Sequence, residues 1–160
     1  MIKIRIVCVG TLKEKFFRDA FNEYKKRLAA FCKFELVEID EYKIQNNPSD
    51  SEIEKCLEHE SEKILAKIPD NSYVIAMCIE GTELSSQKFA RYIENVAVNK
   101  TSDITFVIGS SYGLSAAVKK RANFLFSLST MTFPHQLARV ILCEQVYRAF
   151  QISVGGKYHK

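Results

Sequence analysis

The sequence has no tryptophan and only three prolines and six glycines in 160 residues. It therefore holds no low-complexity tract and no flexible linker that would divide it into domains. It also lacks a membrane-length apolar run: uncharged stretches such as Leu125 to Gln136 contain polar residues and fall short of the roughly 20 apolar residues a span needs. The start, Met1 to Ile6, alternates like a strand and has no charged start, apolar centre or small-residue cleavage site, so a cytoplasmic protein is expected. None of the five cysteines forms a CxxC pair, and Cys8, Cys78 and Cys143 lie in apolar runs where a thiol serves as a small hydrophobe, which fits a reducing compartment. Only Cys56 and His59 stand close together, and no second Cys or His pair accompanies them, so no metal is expected. GxxxxGK[ST], GxGxxG after the first strand, HExxH and GxSxG are all missing, which removes phosphate-loop, dinucleotide, zinc-protease and serine-elbow chemistry.

What is present is the composition of one soluble domain: 47% hydrophobic, 26% charged and a mean hydropathy near zero. A chain of this size buries roughly 70% of its unfolded surface and needs no disulfide or metal to hold it. The net charge of +4 is unevenly spread. Residues 1–33 carry 9 Lys/Arg against 3 Asp/Glu, residues 34–62 carry 2 against 10, and residues 63–160 carry 12 against 6. Two basic regions around an acidic middle are compatible with a polyanionic partner and equally with solvated faces.

Periodicity orders the chain. Residues 2–9 read as a strand, and Phe17, Phe21, Tyr24 and Leu28 form one stripe of a helix over 13–29. Residues 33–39 alternate as a second strand. Ser49 and Glu52 form a capping-box pattern opening an acidic helix to about Lys67, which is expected to face water. The continuous apolar runs 73–79 and 103–108 imply strands buried on both faces, as in a parallel sheet. Helices are expected from Ser85 or Ser86 to about Val98, over 115–121, and from Pro134 to about Ile152, with a fifth strand over 123–128. The sequence predicts an α/β domain with a mainly parallel sheet of five or six strands, helices on both faces, and a ligand site at the carboxyl ends of the strands, near 80–84, 109–113 and 129–133.

Gly109 and Gly113 bracket a loop that either admits a ligand close to the main chain or is only a turn. Residues 127–134 are likewise either a ligand loop or a plain strand-to-helix passage. In the last helix Val140, Cys143, Tyr147 and Phe150 make one stripe, while Leu137, Ile141 and Ile152 make a second, pointing to a subunit interface. His135 and Arg139 share a face, and Glu144 and Arg148 are at ion-pair spacing. The tail after Gly155-Gly156 ends in Tyr158, His159 and Lys160; such a tail either frays or closes on nucleic acid by stacking and phosphate contact.

Four segments together carry a specific resemblance: VGTLKEKF at 9–16 with YKKRL at 24–28, IGSSYGL at 108–114, STMTFPHQLARVILCEQVYRAF at 129–150, and the terminal YHK. They closely resemble the small SPOUT-class methyltransferases that act on large-subunit ribosomal RNA, over essentially the whole chain. The resemblance implies a C-terminal deep trefoil knot, a homodimer, S-adenosylmethionine as methyl donor, and methylation of ring nitrogen 3 of a pseudouridine in the large-subunit ribosomal RNA of assembled ribosomes. It places the donor site at Met77, Gly109, Leu128, Ser129, Thr130, Met131, Thr132 and Phe133. Tyr158 and His159 are further expected to complete the RNA site, beside the partner's donor, with Arg139 and Arg148 contacting phosphate or ordering the pocket; His159 either accepts the proton, as an imidazole titrating near 6.5 when free can, or simply contacts the substrate. Ser110 stands where the family commonly has a second glycine, which narrows the room beside the donor. The competing reading is an RNA-binding dimer without chemistry.

Overall fold

The computed structural model describes all residues 1–160. Its elements are β1 (Lys3–Val9), α1 (Lys15–Leu28), β2 (Lys33–Ile39), α2 (Asp50–Ala66), β3 (Tyr73–Glu83), α3 (Ser86–Asn99), β4 (Asp103–Ile108), α4 (Ala116–Arg121), β5 (Phe124–Ser127) and α5 (His135–Ser153). All strands are parallel, in the order β2-β1-β4-β3-β5. The sheet thus has five strands, the lower of the two numbers expected.

The inner stretches of β1, β3 and β4 are apolar because helices cover both faces. Ile4, Ile6 and Cys8 of β1 join Ile104, Phe106 and Ile108 of β4 in a core closed by Phe21, Phe89, Ile93, Leu142, Cys143 and Val146, from α1, α3 and α5. The alternate residues Val7, Val9, Val74, Ala76 and Val107 face Ile64, Ile68, Leu114 and Val118 on the side of α2 and α4. Burial pushes the thiols of Cys8 and Cys32 up to about 12, so these cysteines act as packing groups, not nucleophiles.

Helix starts follow the sequence closely. Ser49, Ser85 and Ser115 each accept a hydrogen bond from the backbone N–H three residues on, at 3.3, 3.2 and 3.2 Å, and so cap α2, α3 and α4. Two expectations need correction. Helix α2 does not simply face water: Cys56, Glu60, Ser61 and Ile64 are buried, because the helix packs on the second face of the sheet. The segment 80–84 is not a plain loop either, since β3 continues to Glu83. Met77 and Thr82 both pair with Phe126 of β5, so residues 78–81 bulge out of the ladder and β3 then resumes. Gly81 makes this possible, as a Cβ there would lie 2.7 Å from the Phe126 carbonyl carbon and 2.8 Å from that of Leu125.

Candidate active site

Three chain segments converge beyond the carboxyl ends of β3, β4 and β5 and enclose a cavity of about 590 Å³. The β3 bulge supplies Met77 to Glu80, the loop after β4 supplies Gly109 to Leu114, and the passage from β5 into α5 supplies Ser127 to Ser129 and Met131 to His135. Ile108, Phe126 and Ala138 form part of the wall, and Lys119 of α4 pairs with Glu80 at its side. Among the large apolar side chains left exposed, Ile79, Tyr112 and Met131 all line this cavity, which marks it as a place where a ligand supplies the missing contacts.

The loop geometry follows from its glycines and serines. Gly113 adopts φ +84° and donates its N–H to the Ser110 carbonyl at 2.9 Å. The turn folds so tightly that a Cβ on Gly109 would lie 2.2 Å from the Gly113 carbonyl oxygen. The space freed at Gly109 is therefore filled by the loop's own backbone, and the turn so formed is a wall of the cavity. In the third segment Ser127 Oγ donates to the Ser129 carbonyl at 2.8 Å, and Ser129 Oγ accepts from Met131 N–H at 3.0 Å. These bonds hold a seven-residue passage without regular structure in a defined course.

Of the residues named as donor-binding, Met77, Gly109, Leu128, Ser129, Met131, Thr132 and Phe133 line the cavity, whereas Thr130 is exposed and does not line it. Arg139, Tyr158 and His159 do not line it. Arg139 is only 1% exposed: its guanidinium donates to Glu38 Oε2 at 3.0 Å and to the Gly10 carbonyl at 2.9 Å, leaving Nε without a partner. Buried this way, it has no surface to offer a phosphate and instead ties α5 to the carboxyl ends of β1 and β2.

The tail packs on its own chain. The Tyr158 ring sits 4.9 Å from that of Tyr147, under the Arg148 guanidinium at 4.7 Å. Its hydroxyl donates to Glu144 Oε1 at 3.1 Å, and burial, with the neighbouring Tyr24 and Glu144, pushes its pKa up to about 12. Tyr158 is thus a neutral hydroxyl donor near pH 7. His159 Nδ1 accepts from Arg148 Nη1 at 3.4 Å, and its Nε2 lies 2.9 Å from the Gln87 side-chain amide. The expected Glu144–Arg148 ion pair forms, at 2.5 Å, and is the platform on which Tyr158 and His159 rest.

His135 is a cavity residue that helix spacing alone did not assign to the site. Its Nε2 is 3.7 Å from Glu41 Oε1. Burial lowers its pKa, with Glu41 opposing and Arg139 and Lys13 reinforcing. Glu80 and Tyr112 fall within the 80–84 and 109–113 segments expected at the site, though neither was singled out, whereas Lys119, one turn into α4, lies outside them. No group of three or more His, Cys, Asp or Glu is arranged to hold a metal ion, and no helix is long and apolar enough to cross a membrane.

Comparison with known proteins agrees with this architecture. Residues 2–159 match the family described as "Predicted SPOUT methyltransferase". Proteins named ribosomal RNA large subunit methyltransferase H are similar over 99% of the chain and the whole of their own length: 50% identical in Streptococcus thermophilus (strain ATCC BAA-491 / LMD-9) and 51% in Streptococcus sanguinis (strain SK36). The fold resembles a probable methylase family protein from Haemophilus influenzae Rd KW20 (TM-score 0.55, 16% identity, covering 98% of this chain and 70% of that one). It also resembles a probable methyltransferase from Bordetella pertussis Tohama I (TM-score 0.56, 13% identity, 92% and 93%). With a glycine turn, a strand bulge and an irregular passage meeting at one end of a parallel sheet, and with relatives matching from end to end, the chain belongs to the SPOUT methyltransferase family, in the group of the ribosomal RNA large subunit methyltransferase H proteins.

Proposed function

We propose that this protein transfers a methyl group from S-adenosylmethionine to large-subunit ribosomal RNA, at ring nitrogen 3 of a pseudouridine in the assembled ribosome, as a cytoplasmic homodimer with a knotted C-terminal half. The observation that carries this reading is the cavity. Its size lies within the roughly 300–1,000 Å³ of small-ligand sites, and it combines apolar walls with polar backbone. Met77, Leu128 and Phe133 offer apolar faces to a purine and a thioether, and the turns at Gly109–Gly113 and Ser129–Phe133 offer backbone groups to its polar edges. When bound, the donor supplies a methyl group already activated on a cationic sulfur.

The chain's own residues then have two tasks, to align and to manage a proton. Alignment of two reactants contributes roughly 7 to 11 kcal/mol in favourable cases, and the tightly bonded cavity loops suit that role. Arg139 serves it indirectly by fixing the start of α5. For the proton, His159 is the assigned acceptor, and Tyr158, its hydroxyl bound to Glu144, completes the RNA site beside it. Neither lines the cavity of its own chain, so a second copy is assigned the task of bringing them there. Leu137 and Ile141, beside the cavity residues His135 and Ala138, belong to neither core cluster, which gives that copy an apolar strip to cover.

Calorimetry with S-adenosylmethionine is expected to give a saturable heat. Ribosomes lacking the modification, incubated with enzyme and labelled donor, are expected to gain one methyl on a pseudouridine by mass spectrometry. An RNA binder with no saturable donor heat would overturn the reading. Removal of Tyr158 to Lys160 is expected to abolish single-turnover methylation while leaving donor binding within about twofold.

A further inference from the structure

Helix α2 carries the most acidic stretch of the chain, yet two successive residues on it, Glu60 and Ser61, are buried at 2% and 5% exposure. Glu60 makes no ion pair. Its Oε1 accepts from Ser110 Oγ at 2.8 Å and its Oε2 accepts from Tyr42 N–H at 3.4 Å. Ser61 Oγ accepts from Ser115 Oγ, also at 2.8 Å. Ser110 opens the turn that forms one wall of the cavity and Ser115, the cap of α4, follows it closely, so α2 grips the turn on both sides from behind. A buried carboxylate without a cation is unfavourable for stability, and an apolar residue at position 60 would pack against the sheet at no such cost.

We propose that Glu60 is a positioning residue for the donor cavity: through Ser110 it sets the shape of the 109–113 turn, with Ser61 holding the other side through Ser115. This rests on reading the cavity as the donor site. Ser110, which would merely crowd a turn built on glycine, is here the handle by which the turn is held. Neither residue acts on the substrate; both act through the backbone of the turn.

The decisive variant is Ser110→Ala, which removes only the hydroxyl. It is expected to raise Kd and KM for S-adenosylmethionine about tenfold, the scale of losing a hydrogen bond to a charged group. The kcat at saturating donor is expected to hold, and the melting temperature to fall by a few degrees, because Glu60 loses one of its two donors. Hydrogen–deuterium exchange of the unliganded protein should quicken at residues 109–115 and nowhere else. Glu60→Ala should reproduce this, Glu60→Gln, which keeps an acceptor oxygen, should restore most of the affinity, and Ser110→Ala with Glu60→Ala should be no worse than Glu60→Ala alone. Should Glu60→Ala not fold, Ser110→Ala decides by itself. Wild-type affinity and unchanged exchange in Ser110→Ala would overturn the proposal. If the wild type bound no donor but the variant still lost protection at 109–115, the hold on the turn would stand and the donor reading would fall.

Discussion

The two ends of the sheet are built on opposite principles. At the amino ends of the strands, Arg5, only 4% exposed, is hydrogen-bonded to Glu35 at 3.1 Å, Asp103 at 3.0 Å and Thr105 at 3.1 Å. Thr105 in turn meets Ser72 at 2.6 Å, and Lys3 pairs with Glu35 and Asp103. Every buried side-chain nitrogen and oxygen there has a partner. At the carboxyl ends lie the bulge, the glycine turn and the irregular passage, with Ile79, Tyr112 and Met131 uncovered. Charge and hydrogen bonding close the end that has no ligand to admit, and the other end keeps a cavity at the expense of buried apolar contact. Stability and ligand binding are therefore separable by position along the strands.

The sharpest way to break the contrast is Arg5→Ala, which strips a buried cation from two carboxylates. It is expected to cost about 2–3 kcal/mol in urea unfolding, the scale of lost hydrogen bonds to charged groups with Lys3 still beside both carboxylates, while leaving donor affinity unchanged in whatever fraction stays folded. Gly109→Ala should do the reverse. Its Cβ collides with backbone, so overpacking costs about 1–3 kcal/mol, but donor binding by calorimetry should disappear. Ser85→Ala, removing a helix cap remote from the carboxylate network, should lower stability by about 1 kcal/mol with no effect on the donor.

The smallest expected effect is a tilt with pH. His135 has a folded pKa below its unfolded value, so the unfolded chain binds its proton first. Its contribution is present above about pH 6.5 and is lost as the pH falls from there towards the lower folded pKa. Melting temperatures at pH 7.5 and 5.5 should therefore differ more for the wild type than for His135→Gln. An equal difference in both would remove His135 from the cavity's electrostatics.

Much of this was legible in the sequence because burial on both faces leaves a plain signature. The run at 103–108 has the same limits as β4, and the Ser49 cap stands where its spacing to Glu52 put it. The loops after β4 and β5 could be chosen because glycine, serine and proline follow buried strands. What stayed hidden depends on partners distant in the chain. Glu80 to Glu83 have no strand character of their own, and pairing of Thr82 and Glu83 with β5 makes them strand. Glu60 sits among acids on a helix and looks solvated until Ser110, fifty residues on, meets it. Arg139 looks like a surface cation until Gly10 and Glu38 enclose it, and nothing local says that the tail has a seat on Tyr147 and Arg148.

The strand order has a bearing on how the chain is made. β1 is the second strand of the sheet, flanked by β2, about thirty residues further along the chain, and by β4, about a hundred residues further along. While the chain is being synthesised, at roughly 5–20 residues per second, β1 waits several seconds with one flank unpaired and its apolar side chains uncovered. A nascent fragment ending before residue 103 is therefore expected to be sticky, and chaperone dependence of the first hundred residues is the trait this topology imposes.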